Sequence, residues 1–249
     1  MLRTFFDINR RLSQRIEPRL PHAREDLFDV YETTVAEQMN ARPSQLVVDV
    51  GGGKTCPFAR HRDPADGTRI VAVDVSEDEV RHNMDVDEVR VGDIVRDLPF
   101  ASGEVDMVVS RSVLEHLEDL DAFVAGAARV LKSGGHFVHL FPSRFAPFAM
   151  INRALPNWLS RRVMHFLHPR SVGINGFPAF YDRCYDSAVR SVLAARGLEI
   201  VDLKLSFYQS RYYDFFVPAY LLSAGYELIV RALGARDLAA YILVVAKKA

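Results

Sequence analysis

The chain has 249 residues, of which 49% are hydrophobic and 25% are charged, with 31 Lys and Arg against 32 Asp and Glu. These proportions are typical of a globular protein and exclude a disordered, collagen-like or disulfide-rich chain. Cys56 and Cys184 are the only cysteines, and neither has a metal-ligand or redox spacing, so we expect no zinc site and a reducing compartment.

Residues 1–45 are predicted to form a helical lead-in to the rest of the chain. Their first positions carry charges where a secretory signal needs an apolar centre, so a cytoplasmic location is expected.

Charge is distributed unevenly along the rest of the chain. Residues 46–143 carry eighteen acidic and ten basic side chains, whereas residues 144–249 carry seven acidic and fourteen basic ones. Such a basic bias is typical of a solvated face or of a surface that meets an anionic substrate or membrane.

The middle of the chain alternates short apolar runs with helical stretches, which predicts a mostly parallel sheet covered by helices on both faces. One helix is expected to begin after Ser76 as its N-cap, and another to end at Gly134 and Gly135. The strands are predicted at residues 46–50, 69–75, 88–93, 104–110, 135–141, 197–207 and 239–248.

Three glycines follow the first predicted strand, in the segment VVDVGGGKT at residues 47–55. Glycines here allow positive φ and let a ligand lie against the backbone. A dinucleotide fingerprint would need glycine where Cys56 stands, and a phosphate-binding P-loop would need glycine where Val48 stands. Asp49, at the mouth of the loop, also disfavours a polyanion. The loop therefore predicts a ligand without a phosphate chain.

Carboxylates follow the next two predicted strands. Asp74 ends the second strand, 23 residues after Gly51, where a carboxylate can accept hydrogen bonds from both hydroxyls of a ribose. A helix-capping role is the alternative for this residue. Asp93 follows the third strand and offers an acceptor for an exocyclic amine, beside Ile94, whose side chain can pack on a flat base.

Taken together, these residues resemble the class I S-adenosylmethionine-dependent methyltransferases. The motifs that carry the resemblance run from about residue 46 to 143, and they are DVGGG, VAVDVS, GDI with LPF, VDMVVSRSVLEHLED and RVLKSGGHFVHLFP. The resemblance implies a Rossmann-like, doubly wound α/β fold whose seven strands are mostly parallel, with the last one antiparallel. It also implies S-adenosyl-L-methionine as the cofactor.

The same resemblance implies a set of cofactor-binding residues. Asp49 and the three glycines would border the methionine part, Asp74 the ribose, and Asp93 the adenine. An acidic middle segment suits a cofactor with a positive sulfonium. Lys54 departs from the family pattern, in which a small or neutral residue is usual. The full implied set is Asp49, Gly51, Gly52, Gly53, Asp74, Val75, Asp93, Ile94, Ser110 and Arg111.

His116 is the candidate catalytic residue. It lies six positions after Ser110, and it would reach the crevice at the strand ends if a helix begins near Ser112. An imidazole that titrates near neutral pH can take the proton of an acceptor hydroxyl. The alternative is a histidine that packs against the loop at a helix N-terminus. Methyl transfer by this route needs no metal.

Two segments go beyond the minimal fold. Residues 142–181 are rich in proline and aromatic side chains, and the resemblance implies a helical insert that arches over the acceptor. A predicted basic amphipathic helix at residues 156–167 can lie on an anionic membrane, or its apolar side can cap the core or a dimer partner. Residues 214–233 add a helix before the last strand, which can complete an acceptor pocket, a dimer interface or a membrane contact.

The resulting hypothesis is a cytoplasmic methyltransferase whose methyltransferase domain spans residues 46–249. Its acceptor would be a small molecule, a sugar or a lipid-linked group, methylated at oxygen and anionic in one version of the hypothesis. Peripheral contact with the inner face of the membrane and a homodimer are further expectations, and DNA is not expected as a partner. The sequence leaves open an RNA methyltransferase, a nicotinamide-dependent oxidoreductase and a non-catalytic cofactor-binding protein.

Overall fold

A computed structural model of the chain describes residues 2–20, 26–156, 158–159, 162 and 177–249. Seven strands form one sheet in the order β3-β2-β1-β4-β5-β7-β6. The strands are β1 (Leu46–Val50), β2 (Arg69–Asp74), β3 (Glu88–Val91), β4 (Val105–Arg111), β5 (Leu131–Pro142), β6 (Leu198–Ser206) and β7 (Tyr241–Lys248).

The sheet is parallel except for β7, which runs antiparallel to both β5 and β6. The predicted doubly wound, mostly parallel sheet with an antiparallel last strand is therefore confirmed. The chain order reverses between β1 and β4, which are hydrogen-bonded neighbours. In open α/β sheets, ligands bind at such a switch point, outside the carboxyl ends of the strands.

Helices cover both faces of the sheet because its central strands are apolar on both sides. On one face, Phe123 of the fourth helix packs with Val48 and Phe137 of the sheet. On the other face, Tyr31 and Met39 of the second helix lie in a second core cluster. The helices are α1 (Leu2–Ile16), α2 (Leu27–Met39), α3 (Glu77–Val80), α4 (Leu120–Val130), α5 (Pro147–Ala154), α6 (Asp186–Ala195) and α7 (Val217–Ala232).

Three local predictions differ from the structure. Helix α4 ends at Val130 rather than at Gly134 and Gly135, because Leu131 is already extended and pairs with Val105 in the sheet. Ser76 stands at the N-cap of α3, but its side chain makes no capping hydrogen bond. The expected helix from Ser112 is instead a single 3-10 turn at Leu114–His116, preceded by Ser112 with φ of 58°.

Of the two additional segments, residues 142–181 are only partly described. Most of the predicted helix at residues 156–167 falls outside the described residues, although Trp158 is among them and is exposed. Helix α7 lies between β6 and β7, within the predicted range of residues 214–233. Across the described part of the chain, no helix combines the length and the apolar character that a membrane span needs.

Candidate functional site

The glycine loop after β1 is held tightly against β2. The amide of Gly51 donates to the carbonyl oxygen of Val73 at 2.7 Å, with φ of +66° at Gly51. A Cβ atom on Gly52 would lie 2.8 Å from the Cβ of Ala72, so no larger residue fits without displacing the loop. The side-chain amide of Asn83 donates to the carbonyl oxygens of Gly52 and Gly53 at 3.0 and 3.2 Å. The loop backbone is thus fixed from two sides.

Asp74, the last residue of β2, contacts this loop through its carboxylate. One carboxylate oxygen accepts a hydrogen bond from the amide of Gly53 at 3.1 Å, and the other accepts from the amide of Ser76 at 2.9 Å. The carboxylate is almost wholly buried. A carboxylate has about four lone-pair sites, so two remain for ligand hydroxyls. We call the region bordered by Asp49, Asp74 and residues 51–53 the glycine-loop cleft.

Asp49 lies buried at the base of the glycine-loop cleft. The pKa of this carboxyl is raised to about 7, chiefly by burial and to a smaller extent by the nearby carboxylate of Asp74, while the thiol of Cys56 and the guanidinium of Arg111 act in the opposite direction. The buried hydroxyl of Tyr31 has no hydrogen-bond partner among the described residues. Of the nearby charged groups, the carboxylate of Asp49 does most to raise the pKa of Tyr31. A positive ligand group here would favour the ionised form of Asp49.

Three residues of this cleft were not predicted as functional. Cys56 donates its thiol to Asp49, and its backbone amide donates to the carboxylate of Asp85 at 2.8 Å. Asn83, two positions before Asp85, supplies the amide that holds the glycine loop. No spacing rule points to these side chains, because they meet the loop only through the tertiary fold.

The residues that the sequence analysis places beside the adenine lie at the neighbouring strand end. The amide of Gly92 donates to the carbonyl oxygen of Asp74 at 2.9 Å, which places Asp93 beside the end of β2. The side chain of Asp93 is half-exposed and accepts a hydrogen bond from the amide of Val95 at 3.0 Å. Ile94 is buried in the core, whereas Val75 is exposed. The fold therefore groups Asp93 with Asp74 but leaves the Val75 side chain in solvent.

The two residues at the end of β4 have different environments. The hydroxyl of Ser110 is fully buried and lies 2.6 Å from Nδ1 of His139, whose pKa burial lowers to about 3. This hydroxyl is therefore engaged inside the sheet by a neutral histidine. Arg111 contacts Glu32 of α2 at 3.0 Å, and its guanidinium lies 5.8 Å from the ring centre of Phe28. Arg111 thus links the sheet edge to α2.

His116 lies under the segment that begins at residue 177. Its Nδ1 is 2.8 Å from the carbonyl oxygen of Pro178, and its ring centre is 6.3 Å from that of Phe177. A carbonyl oxygen only accepts, so Nδ1 carries the proton and Nε2 has a free lone pair. Burial lowers the pKa of His116, which keeps the ring neutral at pH 7.

Glu115 is a further buried acid in the same turn, and the sequence did not single it out. Its Oε2 has no hydrogen-bond partner within the described ranges, and its Oε1 lies 3.9 Å from Nε2 of His116. Burial raises the pKa of Glu115 to about 8. Its backbone carbonyl accepts hydrogen bonds from the amides of Phe180 and Tyr181, at 2.8 and 2.9 Å. The turn therefore anchors the chain that follows residue 176.

A cavity of about 670 Å³ opens at the same edge of the sheet, between α1 and the adjoining ends of β6 and β7. The ring centre of Phe28 lies 5.6 Å from that of Tyr241, which begins β7, and Arg111 approaches Phe28 from the cleft. Phe28 therefore stands between the glycine-loop cleft and the cavity. The walls include Glu17, Phe28, Ser206, Tyr208, Tyr212 and Tyr241.

A metal centre is not evident at these positions. In the part of the chain that the structure describes, no three His, Cys, Asp or Glu side chains are grouped so that they could hold a metal ion.

Residues 48–139 match a sequence family described as "Methyltransferase domain". A curated relative from Streptomyces fradiae, named "Uncharacterized 37.1 kDa protein in transposon TN4556", is 30% identical over 125 residues. That match covers 47% of this chain and 35% of the relative, so the chain spans about a third of the length of the curated relative it matches.

Solved structures of similar fold include proteins with different chemistry. Geranyl diphosphate C-methyltransferase from Streptomyces coelicolor A3(2), in complex with Mg²⁺, geranyl diphosphate and S-adenosyl-L-homocysteine, has a TM-score of 0.58 at 13% identity, covering 89% of this chain and 79% of its own. The [4+2]-cyclase SpnF has a TM-score of 0.57 at 18% identity, with 88% and 81% covered. Phosphoethanolamine N-methyltransferase 2 from Haemonchus contortus, in complex with S-adenosyl-L-methionine, has a TM-score of 0.53 at 14% identity, with 89% and 52% covered. At these identities the likeness concerns the fold alone.

Proposed function

We propose that this chain, whose residues 48–139 form a methyltransferase domain on the class I S-adenosylmethionine-dependent fold, methylates an oxygen atom of a small molecule. The family match confirms the resemblance that the sequence motifs indicated. The observation that carries the proposal is the approach of Arg111, at the end of β4, to Phe28, which lines the 670 Å³ cavity at the same edge of the sheet: the guanidinium lies 5.8 Å from the ring centre.

The cofactor is S-adenosyl-L-methionine, and the residues of the glycine-loop cleft fit it. Asp49 would pair with a cationic group of the methionine part, Asp74 would accept from the ribose hydroxyls, and Asp93 would face the adenine. Because a Cβ on Gly52 would lie 2.8 Å from the Cβ of Ala72, only glycine keeps the loop backbone this close to the strand ends that border the cleft. When bound, the cofactor supplies a methyl group on a positively charged sulfur, which is an electrophile that needs alignment rather than activation.

His116 takes the proton of the acceptor in this proposal. The acceptor oxygen would bond to the methyl carbon as the carbon–sulfur bond breaks, and Nε2 of His116 would receive the hydroxyl proton. The hydrogen bond from Nδ1 to Pro178 supports this role, because it fixes the tautomer in which Nε2 is the acceptor. The lowered pKa of His116 keeps that nitrogen unprotonated at pH 7.

The charges in the cavity favour a neutral hydroxylated acceptor, such as a sugar or a phenol, over an anionic one. Arg10 is already near Asp214 and Asp7, at 3.5 and 3.8 Å. Glu17 accepts a hydrogen bond from the phenol of Tyr208. Tyrosine rings give apolar faces and polar edges that suit a ring with hydroxyls. The charged wall residues are Asp7, Glu17, Asp26 and Asp214 against Arg10 and Arg211.

Methyl transfer from labelled S-adenosyl-L-methionine to a panel of hydroxylated, amine and phosphate-bearing acceptors tests the proposal. Product analysis by mass spectrometry and NMR should place the methyl group on oxygen.

A variant of the cavity wall tests where the acceptor binds. In Tyr212→Ala the acceptor KM should rise about tenfold or more while the affinity for S-adenosyl-L-homocysteine stays unchanged. Tyr226→Ala, on α7 outside the cavity wall, is the matched control. Transfer to nitrogen or carbon, or equal effects of the two variants, would contradict the proposal.

A further inference from the structure

Helix α1 is packed with its polar side toward the protein. The side chain of Asn9 accepts a hydrogen bond from the amide of Val217 at 3.0 Å, and the hydroxyl of Ser13 donates to the carbonyl oxygen of Asp214 at 3.1 Å. Both side chains are buried. Arg10 and Gln14 of the same helix line the cavity. The usual arrangement of a surface helix, with its apolar stripe inward, is therefore reversed.

The apolar stripe of α1 is exposed. Phe5, Ile8 and Leu12 are spaced i, i+3 and i+7, which places them on one face, and they are 45%, 52% and 44% exposed. The ring centre of Phe5 lies 6.3 Å from that of Phe216, at the start of α7. We call the set Phe5, Ile8, Leu12 and Phe216 the α1–α7 apolar surface.

Helix α7 adds further exposed apolar side chains beyond this surface. Leu222, Ile229 and Leu233 are exposed, and their i, i+7 and i+11 spacing keeps them on one face of α7 and its C-cap. Single exposed apolar residues are ordinary, but two adjoining helices that both expose an apolar stripe indicate a surface that something covers.

Positive charge flanks the α1 stripe. Helix α1 carries four arginines against one aspartate, and no acidic side chain stands in its first turn. Arg11 and Arg15 follow Ile8 and Leu12 by three positions each, so they lie at the border of the stripe. Neither arginine has an ion-pair partner among the residues for which the structure gives positions. An apolar face bordered by unpaired arginines is complementary to an anionic lipid surface.

We propose that the α1–α7 apolar surface docks this protein on an anionic membrane, with the apolar side chains at the lipid interface and Arg11 and Arg15 on the lipid headgroups. This inference goes beyond methyl transfer and does not depend on it. It also differs from the contact expected from residues 156–167, because it rests on α1. The unpaired arginines favour lipid over a second copy of the chain, since paired copies would bring these positive side chains together.

Flotation of the full chain with vesicles tests the proposal. We expect it to float with vesicles of phosphatidylcholine and phosphatidylglycerol, much less with phosphatidylcholine alone, and less as salt rises. The double variant Ile8→Asp and Leu12→Asp should bind the anionic vesicles at least about tenfold more weakly. Val201→Asp, at an exposed apolar position of β6, is the matched control and should float like the parent. The variant Arg11→Gln with Arg15→Gln should lose most of the salt dependence.

Thermal unfolding and affinity for S-adenosyl-L-homocysteine show whether each variant is folded, and they are independent of lipid binding. Failure of the parent to float with anionic vesicles at low salt would overturn the proposal, as would equal weakening by Val201→Asp. Sedimentation without lipid tests whether a second copy of the chain covers this surface instead. A dimer that Ile8→Asp with Leu12→Asp dissociates would assign the surface to a second copy and would also overturn the membrane assignment.

Discussion

Nδ1 of His116 lies 2.8 Å from the carbonyl oxygen of Pro178. These residues are 62 positions apart in the chain, and their contact connects the turn after β4 with the segment that passes over it. Because the carbonyl fixes the proton on Nδ1, the base-competent nitrogen is Nε2. The same contact therefore orients the imidazole and holds the covering segment in position.

His116→Ala should lower kcat by about 10²- to 10⁴-fold, the range for loss of a general base, and leave the affinity for S-adenosyl-L-homocysteine unchanged. Steady-state kinetics and calorimetry measure the two quantities. In the parent, kcat should fall as the pH drops below the lowered pKa of His116, because protonated Nε2 cannot accept the proton. His61→Ala, an exposed histidine, is the control. An unchanged kcat in His116→Ala with the true acceptor would remove His116 from the mechanism.

Glu115→Gln should stabilise the fold at alkaline pH. Because burial raises the pKa of Glu115 to about 8, the folded state retains a proton that the unfolded state releases near its ordinary pKa. Stability contributed by this group therefore falls as the pH rises from about 4.5 to about 8, by roughly 5 kcal/mol at most. Glutamine does not ionise, so the variant does not lose stability in this way. Its free energy of unfolding in urea should therefore exceed that of the parent by a margin that grows toward pH 8.

Glu37→Gln is the matched control for this measurement, since Glu37 is exposed on α2. A difference between Glu115→Gln and the parent that stays constant across the pH range would show that Glu115 does not hold a proton in the folded state.

Binding of S-adenosyl-L-homocysteine should tighten as the pH rises toward 7. Asp49 has a pKa of about 7, and a cationic ammonium prefers its ionised form, so binding below that pH requires release of a proton. The dissociation constant should fall by up to about tenfold per pH unit below about pH 7 and level off above it. Calorimetry in buffers of different ionisation enthalpy measures the released proton. Asp49→Asn should bind more weakly and show no such dependence, whereas exposed Asp78→Asn should behave as the parent.

The sheet was predictable because buried parallel strands are continuous apolar runs. β1 and β2 were placed within one residue of their observed ends, and Asp74 ends β2. The end of α4 was misplaced because Leu131 continues the apolar pattern of the helix while its backbone is already in the sheet. Side-chain pattern alone does not separate these two states.

The cavity wall was not predictable, because its members are distant in the chain. Glu17 and Tyr208 form a hydrogen bond across 191 positions, and Phe28 meets Tyr241 only when α2 docks on the sheet edge. The environment of Ser110 was hidden for the same reason, since its partner His139 belongs to the neighbouring strand. Local motifs predict which strand ends border the candidate site, and tertiary packing decides which of their side chains are already engaged within the protein.

Gly52→Ala should both weaken cofactor binding and destabilise the fold. The added Cβ would lie 2.8 Å from the Cβ of Ala72 and 3.1 Å from the carbonyl oxygen of Asp49, and neither of these atoms belongs to a flexible side-chain end. The loop must therefore move, which also stretches the hydrogen bond between Gly53 and Asp74 at 3.1 Å. We expect a loss of roughly 1–3 kcal/mol in the free energy of unfolding. Affinity for S-adenosyl-L-homocysteine should fall about tenfold or more, because each good hydrogen bond contributes on the order of 1 kcal/mol.

Gly225→Ala is the matched substitution for this test. Gly225 lies within α7, and a Cβ there would meet no atom within 4 Å. Alanine replaces glycine inside a helix with a gain of about 0.5–1 kcal/mol, so this variant should unfold at a higher urea concentration and bind the ligand as the parent does. Urea unfolding and calorimetry on both variants separate loop geometry from general stability. Parent-like affinity in Gly52→Ala would show that the ligand does not lie against this loop, and the glycine-loop cleft would then lose its assignment as the cofactor site.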